Sequence, residues 1–276
     1  MIQSEFFLIT KSERKIYTKT WTPKVSPIAV ITLVHGFGEH CLRYKPYIEY
    51  FTNQGIAFLG FDLQGHGQSD GKRGVIISYD SMLDDMFLAL EKTSELFPNV
   101  PHFIYGHSMG GNIVLNYLLQ RDFKLNGAII TSPWLELTKE PALMLKKMVG
   151  FFQKFIPNIT IESGLDTTYI STVAKEVDKY DSDPLNHGRI SFRLFHEINQ
   201  RGVWAIENAQ NLKLPVLLMH GLADQITSPN ASAKVSNSNK VFIEYQTWEG
   251  KYHELHNESN RPEVAAKVIE WIKQKI

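Results

Sequence analysis

Gly106-His107-Ser108-Met109-Gly110 reads Gly-x-Ser-x-Gly. The apolar run His102-Phe103-Ile104-Tyr105 precedes it, and Gly111 to Leu119 follows with helical spacing. The pattern predicts a serine held where a strand turns sharply into a helix, the context of a nucleophile elbow. Such a turn strains the serine backbone and crowds its flanks, which favours glycine on either side. The helix start aims free N–H groups and a positive dipole end at the serine, where negative charge would develop. Alone, the five residues also fit an ordinary glycine-rich turn, so the surrounding chain must decide.

Toward the N-terminus, Ile28 to Val34 and Ile56 to Phe61 are continuous apolar runs, as expected of strands buried on both faces. Each empties into a glycine-rich loop: His35-Gly36-Phe37-Gly38-Glu39-His40 and Asp62 to Gly74. Residues 5–10 and 15–21 predict an edge hairpin. Helical spacing covers 44–54 and 81–97, and Gly127 to Thr131 is a further strand. This alternation predicts an α/β fold with a mainly parallel central sheet, helices on both faces and right-handed crossovers. Active sites in such sheets lie at the carboxyl ends of the strands, where the glycine-rich loops fall.

From Ser132 to Glu197 the alternation breaks, and Pro133, Pro141, Pro157 and Pro184 punctuate short helical pieces. Residues 132–197 are therefore expected to form an inserted, mostly helical cap over a core built from 1–131 and 198–276. Alternation resumes with a helix over 201–211, a strand over 215–220, a helix over 229–235, a strand over 241–247 and a closing helix over 261–273.

A serine hydroxyl needs a histidine to take its proton and a carboxylate to fix that histidine's tautomer. In the fold with this elbow the order is serine, acid, histidine. Asp224 follows the strand Pro215 to His220, and His253 follows the strand Val241 to Thr247. Ser108, Asp224 and His253 are thus the expected nucleophile, acid and base. The oxyanion donors are expected to be the backbone N–H groups of Met109 and Phe37. Glu136 is a weaker candidate acid because it falls in the cap segment, and His256 a weaker candidate base. His107 and His220 read as packing or strand-end residues. His35, His40 and His66 come too early for the order and read as loop hydrogen-bonding groups. The loop 62–74 reads as a structural floor to the site.

Several classes are disfavoured. Among 276 residues, 29 basic balance 29 acidic side chains, so no field favours nucleic acid. No Walker-type or dinucleotide-binding glycine pattern and no His-Glu-x-x-His occurs, and no cofactor or metal is expected. The one cysteine, Cys41, permits no intrachain disulfide and suits a reducing compartment, so a cytoplasmic location is expected. The N-terminus shows no signal-peptide pattern, and no stretch approaches the roughly 20 apolar residues of a membrane span.

His35 to His40, Phe61 to Gly74, Gly106 to Gly111 and Tyr252-His253-Glu254 together resemble the monoacylglycerol lipase and lysophospholipase group of α/β-hydrolases, also labelled serine aminopeptidase-like. The resemblance spans Ile28 to about Thr131 and Leu214 to about Glu258. It implies ester hydrolysis through an acyl-enzyme on Ser108, with a single-chain lipid ester, foremost a monoacylglycerol, as substrate. A lysophospholipid or short-chain ester substrate is the alternative. An aminopeptidase or a non-catalytic ligand-binding member is less favoured. Phe37 stands where this group often has a small residue, which narrows the pocket. The strongly apolar stretch 143–156, with Lys146, Lys147 and Lys154, is expected either to line an acyl tunnel or to lie on an anionic membrane surface.

Overall fold

A computed structural model describes residues 1–276. The chain opens with an antiparallel hairpin, β1 (Ile2–Ile9) and β2 (Lys15–Thr22). Then come β3 (Ala29–Val34), α1 (Lys45–Thr52), β4 (Ile56–Phe61), α2 (Tyr79–Leu96), β5 (His102–His107), α3 (Met109–Gln120) and β6 (Gly127–Thr131). Every residue of β3, β4, β5 and β6 is buried, which explains their unbroken apolar runs. The helix predicted from Ser81 begins earlier because Ser78 caps it: its side chain accepts from Ser81 N–H, and Ser81 reciprocates. It ends just before Phe97-Pro98, as the proline requires.

The segment after β6 holds α4 (Leu143–Phe152), β7 (Thr160–Glu162), α5 (Ala174–Ser182) and β8 (Arg189–Ser191), with β7 and β8 paired antiparallel. The small sheet was not legible in the sequence, and α4 stops before Ile156 in a run of turns. Next comes α6 (Phe192–Asn208), which starts well before the predicted Arg201 because Ser191 caps it by accepting from Leu194 N–H. The chain closes with β9 (Val216–Gly221), α7 (Pro229–Ser238), β10 (Ile243–Trp248) and α8 (Arg261–Lys273).

The eight-stranded sheet has the order β1-β2-β4-β3-β5-β6-β9-β10, parallel from β4 onward. One core layer places α1 and α8 against one face. The other places α2, α3, α6 and α7 against the opposite face. Each buried leucine-sized side chain stabilises such a sandwich by about 1.5–3 kcal/mol. No helix is long and apolar enough to cross a membrane. The cap is sewn to the core near β8: His187 N–H donates to Gly38 O and Ser191 N–H to Gly74 O, each at 2.9 Å. Gly38 must be glycine here. Its φ is +73°, and an added Cβ would lie 2.4 Å from the His187 carbonyl oxygen.

Candidate active site

Ser108 sits between β5 and α3 at φ 53°, ψ −116°, a strained conformation for a residue with a side chain. Close packing holds the turn there. A Cβ on Gly106 would meet Gly110 O at 2.7 Å, and one on Gly110 would meet Val34 O at 2.2 Å. The serine therefore projects beyond the sheet with the first turn of α3 behind it.

The two backbone groups expected as oxyanion donors, the Phe37 and Met109 N–H, are free of backbone hydrogen bonds. The neighbouring Gly36 N–H is already taken by Glu39 Oε1 at 2.7 Å. That bond leaves Phe37, and not Gly36, with a free N–H. The Phe37 ring is set edge-on to Trp134, His66 and His187, forming an aromatic wall.

Asp224, after β9, and His253, after β10, meet with Oδ2 and Nδ1 2.7 Å apart. Asp224 Oδ1 accepts from Ile226 N–H at 2.7 Å and Thr227 N–H at 3.0 Å. Oδ2 also accepts from His220 Nε2 and Thr227 Oγ1, both at 3.0 Å. Burial pushes the Asp224 carboxyl up, but His253 and these donors outweigh it and hold the group far below the usual carboxylate range. Burial pushes His253 down, and the Asp224 charge more than reverses this, raising the imidazole above its usual value. Ser132, also at positive φ, donates Oγ–H to the His253 carbonyl at 2.8 Å and fixes its backbone. The Ser108 Oγ and His253 Nε2 are not hydrogen-bonded here; such bonds often close only around substrate.

The other predicted candidates fall elsewhere. Glu136 pairs with Lys234 at the surface, 3.0 Å away. His256 stacks on Tyr44 at 4.2 Å between ring centroids, with neither nitrogen partnered. His107 bonds to Thr131 Oγ1 at 3.0 Å. His35 accepts from Leu63 N–H, and His40 bonds Asp183 of the cap. His66 packs behind Phe37. No residue of 62–74 lines the cavity, so the expected floor is instead a backing layer, whose His66 ring packs edge-on against the Phe37 ring.

A cavity of about 380 Å³ opens over Ser108 and His253. Phe37 of the core gives it an apolar wall, and Trp134, Leu137, Leu165, Ile190 and Phe195 of the segment 132–197 supply the rest, with Tyr169 and Tyr180. Asp166 of the cap also faces it, as do Glu39 and Glu254. Sequence reasoning missed the group that joins the two glutamates: Arg43 Nη1 reaches Glu39 Oε2 at 2.5 Å and Glu254 Oε1 at 2.6 Å. Glu39, Glu254 and His256 have donor atoms within 4.8 Å of one another, a possible metal grouping by distance. The Arg43 guanidinium already bridges the two carboxylates from within it. It ties the Phe37 loop to the His253 loop, and stacks at 4.6 Å over the Tyr180 ring of α5.

The sequence matches the family described as serine aminopeptidase, S33, over residues 25–260. An uncharacterised abhydrolase domain-containing protein of Dictyostelium discoideum is 37% identical over 279 residues, covering all of this chain and 30% of that longer protein. Mouse monoglyceride lipase is 31% identical over 98% of this chain and 90% of its own length. The crystal structure of Paleococcus ferrophilus monoacylglycerol lipase is 30% identical, with a TM-score of 0.86 over 95% of this chain and 99% of that one. With the strand order above and a serine elbow at its centre, the chain belongs to the serine aminopeptidase (S33) family and is a serine hydrolase of the α/β-hydrolase fold.

Proposed function

We propose that the protein hydrolyses the esters of single-chain lipids, monoacylglycerols foremost, through an acyl-enzyme on Ser108. The observation that carries this reading is that Ser108 and His253, the latter paired to Asp224, line one cavity with apolar walls, with Phe37 beside them and Met109 next in the chain to Ser108. His253 Nε2 takes the Ser108 hydroxyl proton as Oγ bonds to the ester carbonyl carbon. Phe37 and Met109 N–H hold the resulting oxyanion; removing one such donor typically costs about 100- to 1,000-fold in turnover. His253 then gives its proton to the leaving glycerol oxygen, and the acyl group stays on Ser108. A water, deprotonated by His253, attacks the acyl carbon; the bond to Ser108 Oγ breaks as His253 returns the proton to that oxygen, and the fatty acid is released. Asp224 holds His253 in the Nδ1–H tautomer and balances its charge in both halves.

The substrate choice is supported by the apolar walls beside Ser108 and by the monoglyceride lipases among the relatives. Of the three acidic groups lining the cavity, Glu39 and Glu254 are engaged by Arg43, and Asp166 of the cap is the carboxylate without a cationic partner; a substrate with a free amine is therefore included in the test. Arrival at the lipid is assigned to α4, whose outer face is apolar and flanked by lysines, as a helix lying in a membrane surface requires.

The test is a rate comparison with purified protein on monoacylglycerols, diacylglycerols, lysophospholipids and aminoacyl amides, run beside Ser108→Ala. Monoacylglycerol turnover should lead, and Ser108→Ala should lose both turnover and labelling by a fluorophosphonate. Equal rates on mono- and diacylglycerols would sink the single-chain assignment, and labelling that survives Ser108→Ala would sink the nucleophile.

A further inference from the structure

Asp224 carries a second histidine. His220 is the penultimate residue of β9 and wholly buried. Its Nε2 lies 3.0 Å from Asp224 Oδ2, the same oxygen that His253 Nδ1 approaches at 2.7 Å. On its other side, Nδ1 lies 2.8 Å from Ser232 Oγ, in the second turn of α7. An ionised carboxylate only accepts hydrogen bonds, so Nε2 carries the hydrogen. The Thr227 carbonyl, 3.3 Å from Nε2, reinforces that choice. Nδ1 is then bare and accepts from the Ser232 hydroxyl, which locks the tautomer. A neutral ring with both nitrogens matched avoids the penalty of burying a second cation beside the one that forms on His253.

We propose that His220, locked by Ser232, is a positioning residue that aims the Asp224 carboxylate at His253. The proposal rests on Ser108, His253 and Asp224 acting as the hydrolytic triad. Loop N–H groups hold Oδ1 from one side, and His220 holds Oδ2 from beneath the sheet end. Without His220, Oδ2 keeps only the Thr227 hydroxyl besides His253, and the carboxylate can tilt about its Cβ–Cγ bond off its line to His253. That line matters most once His253 has taken the serine proton and carries charge, which is in the transition state. The loss therefore falls on kcat and leaves ground-state binding alone.

The experiment compares four variants on one soluble monoester. His220→Leu removes both nitrogens at similar volume; kcat should fall about 10- to 100-fold, the worth of one hydrogen bond to a charged group, with KM within about twofold. His220→Gln sets an amide nitrogen close to the former Nε2 and should recover most of that loss. Ser232→Ala frees the ring to present a bare nitrogen to Asp224, and should lower kcat by an intermediate factor. Adding Ser232→Ala to His220→Gln should change nothing more, because an amide has no tautomer to lock. Wild-type kcat in His220→Leu, equal losses for Leu and Gln, or a change in KM alone overturns the proposal. If His220→Leu does not fold, the pairing of Ser232→Ala with His220→Gln decides: independent, additive losses overturn it. Ser108→Ala separates the two readings. Turnover surviving there means the hydrolytic triad is wrong; turnover lost there but intact in His220→Leu means that only the role of His220 is.

Discussion

At the carboxyl edge of the sheet, Asp224 is saturated with donors, Gly36 N–H is matched to Glu39, and strand ends set every spacing. In the cap, α4 buries Val149 and leaves Leu143, Met144, Leu145, Met148, Phe151 and Phe152 in solvent, with Phe155 and Ile156 following. Lys146 pairs with Glu140 beside it, whereas Lys147 and Lys154 have no acidic partner. One region is complete within the chain, and the other keeps an apolar surface of the kind that marks an interaction site. Chemistry depends on fixed geometry, so it is lodged where β9 and β10 hold their ends in register. The proposed access to an aggregated lipid depends on surface, and α4, with Val149 as its buried residue, offers one.

The sharpest way to break this contrast is at the edge of the sheet. His253→Ala should lose at least about 1,000-fold in kcat, because Ser108 then has no base. His256→Ala should stay within about tenfold, since its ring stacks on Tyr44 and touches neither Asp224 nor Ser108. Its effect should appear as stability, about 2–4 kcal/mol for an emptied buried site, read by urea unfolding. The opposite pattern would exchange the two histidines and undo the assignment of chemistry to strand ends.

The cap half is tested by softening its surface. Leu143→Ser, Met144→Ser and Phe151→Ser combined should abolish sedimentation with vesicles of mixed anionic and zwitterionic phospholipid. Each burial lost is worth about 1.5–3 kcal/mol. Turnover of a monomeric soluble ester should stay within about twofold. An equal fall in soluble-ester turnover would mean that α4 shapes the cavity instead, and the two regions would no longer be separable.

The two regions also differed in legibility, for the same physical reason. The strands β4 and β6 and the helix α8 were bounded to the residue by unbroken apolar runs and by helical spacing. The placement of Ser108, Asp224 and His253 beyond strand ends could be read because each follows a strand that its own pattern marks. What escaped was long-range pairing between side chains whose types are unremarkable. Arg43 meets Glu254 across 211 residues, and His220 was read as a strand-end filler although it sits four residues before Asp224 on the same turn. The strand-end His-Gly-x-x-Asp spacing was the available signal for His220. In the cap, β7 and β8 are three residues each, too short for period-two alternation to show.

The smallest expected effect lies at the joint of the two regions. His187 is held against the core by Nε2 donating to Gly65 O at 3.1 Å, with its ring 4.7 Å from that of His66. Burial, aided by Arg73, pushes the His187 imidazole down to about 4. The unfolded chain takes up this proton near pH 6.5, while the folded protein resists until about pH 4. Proton uptake by the unfolded state alone lowers stability, so this contribution is complete above about pH 6.5 and is lost as pH falls toward 4. His187→Gln keeps a donor for Gly65 and cannot titrate. Between pH 6.5 and pH 4 its melting temperature should therefore fall less steeply than wild type, by on the order of a degree or two. Parallel slopes for the two proteins would show that this imidazole titrates alike folded and unfolded, and that the joint is more open to water than the rest of the core.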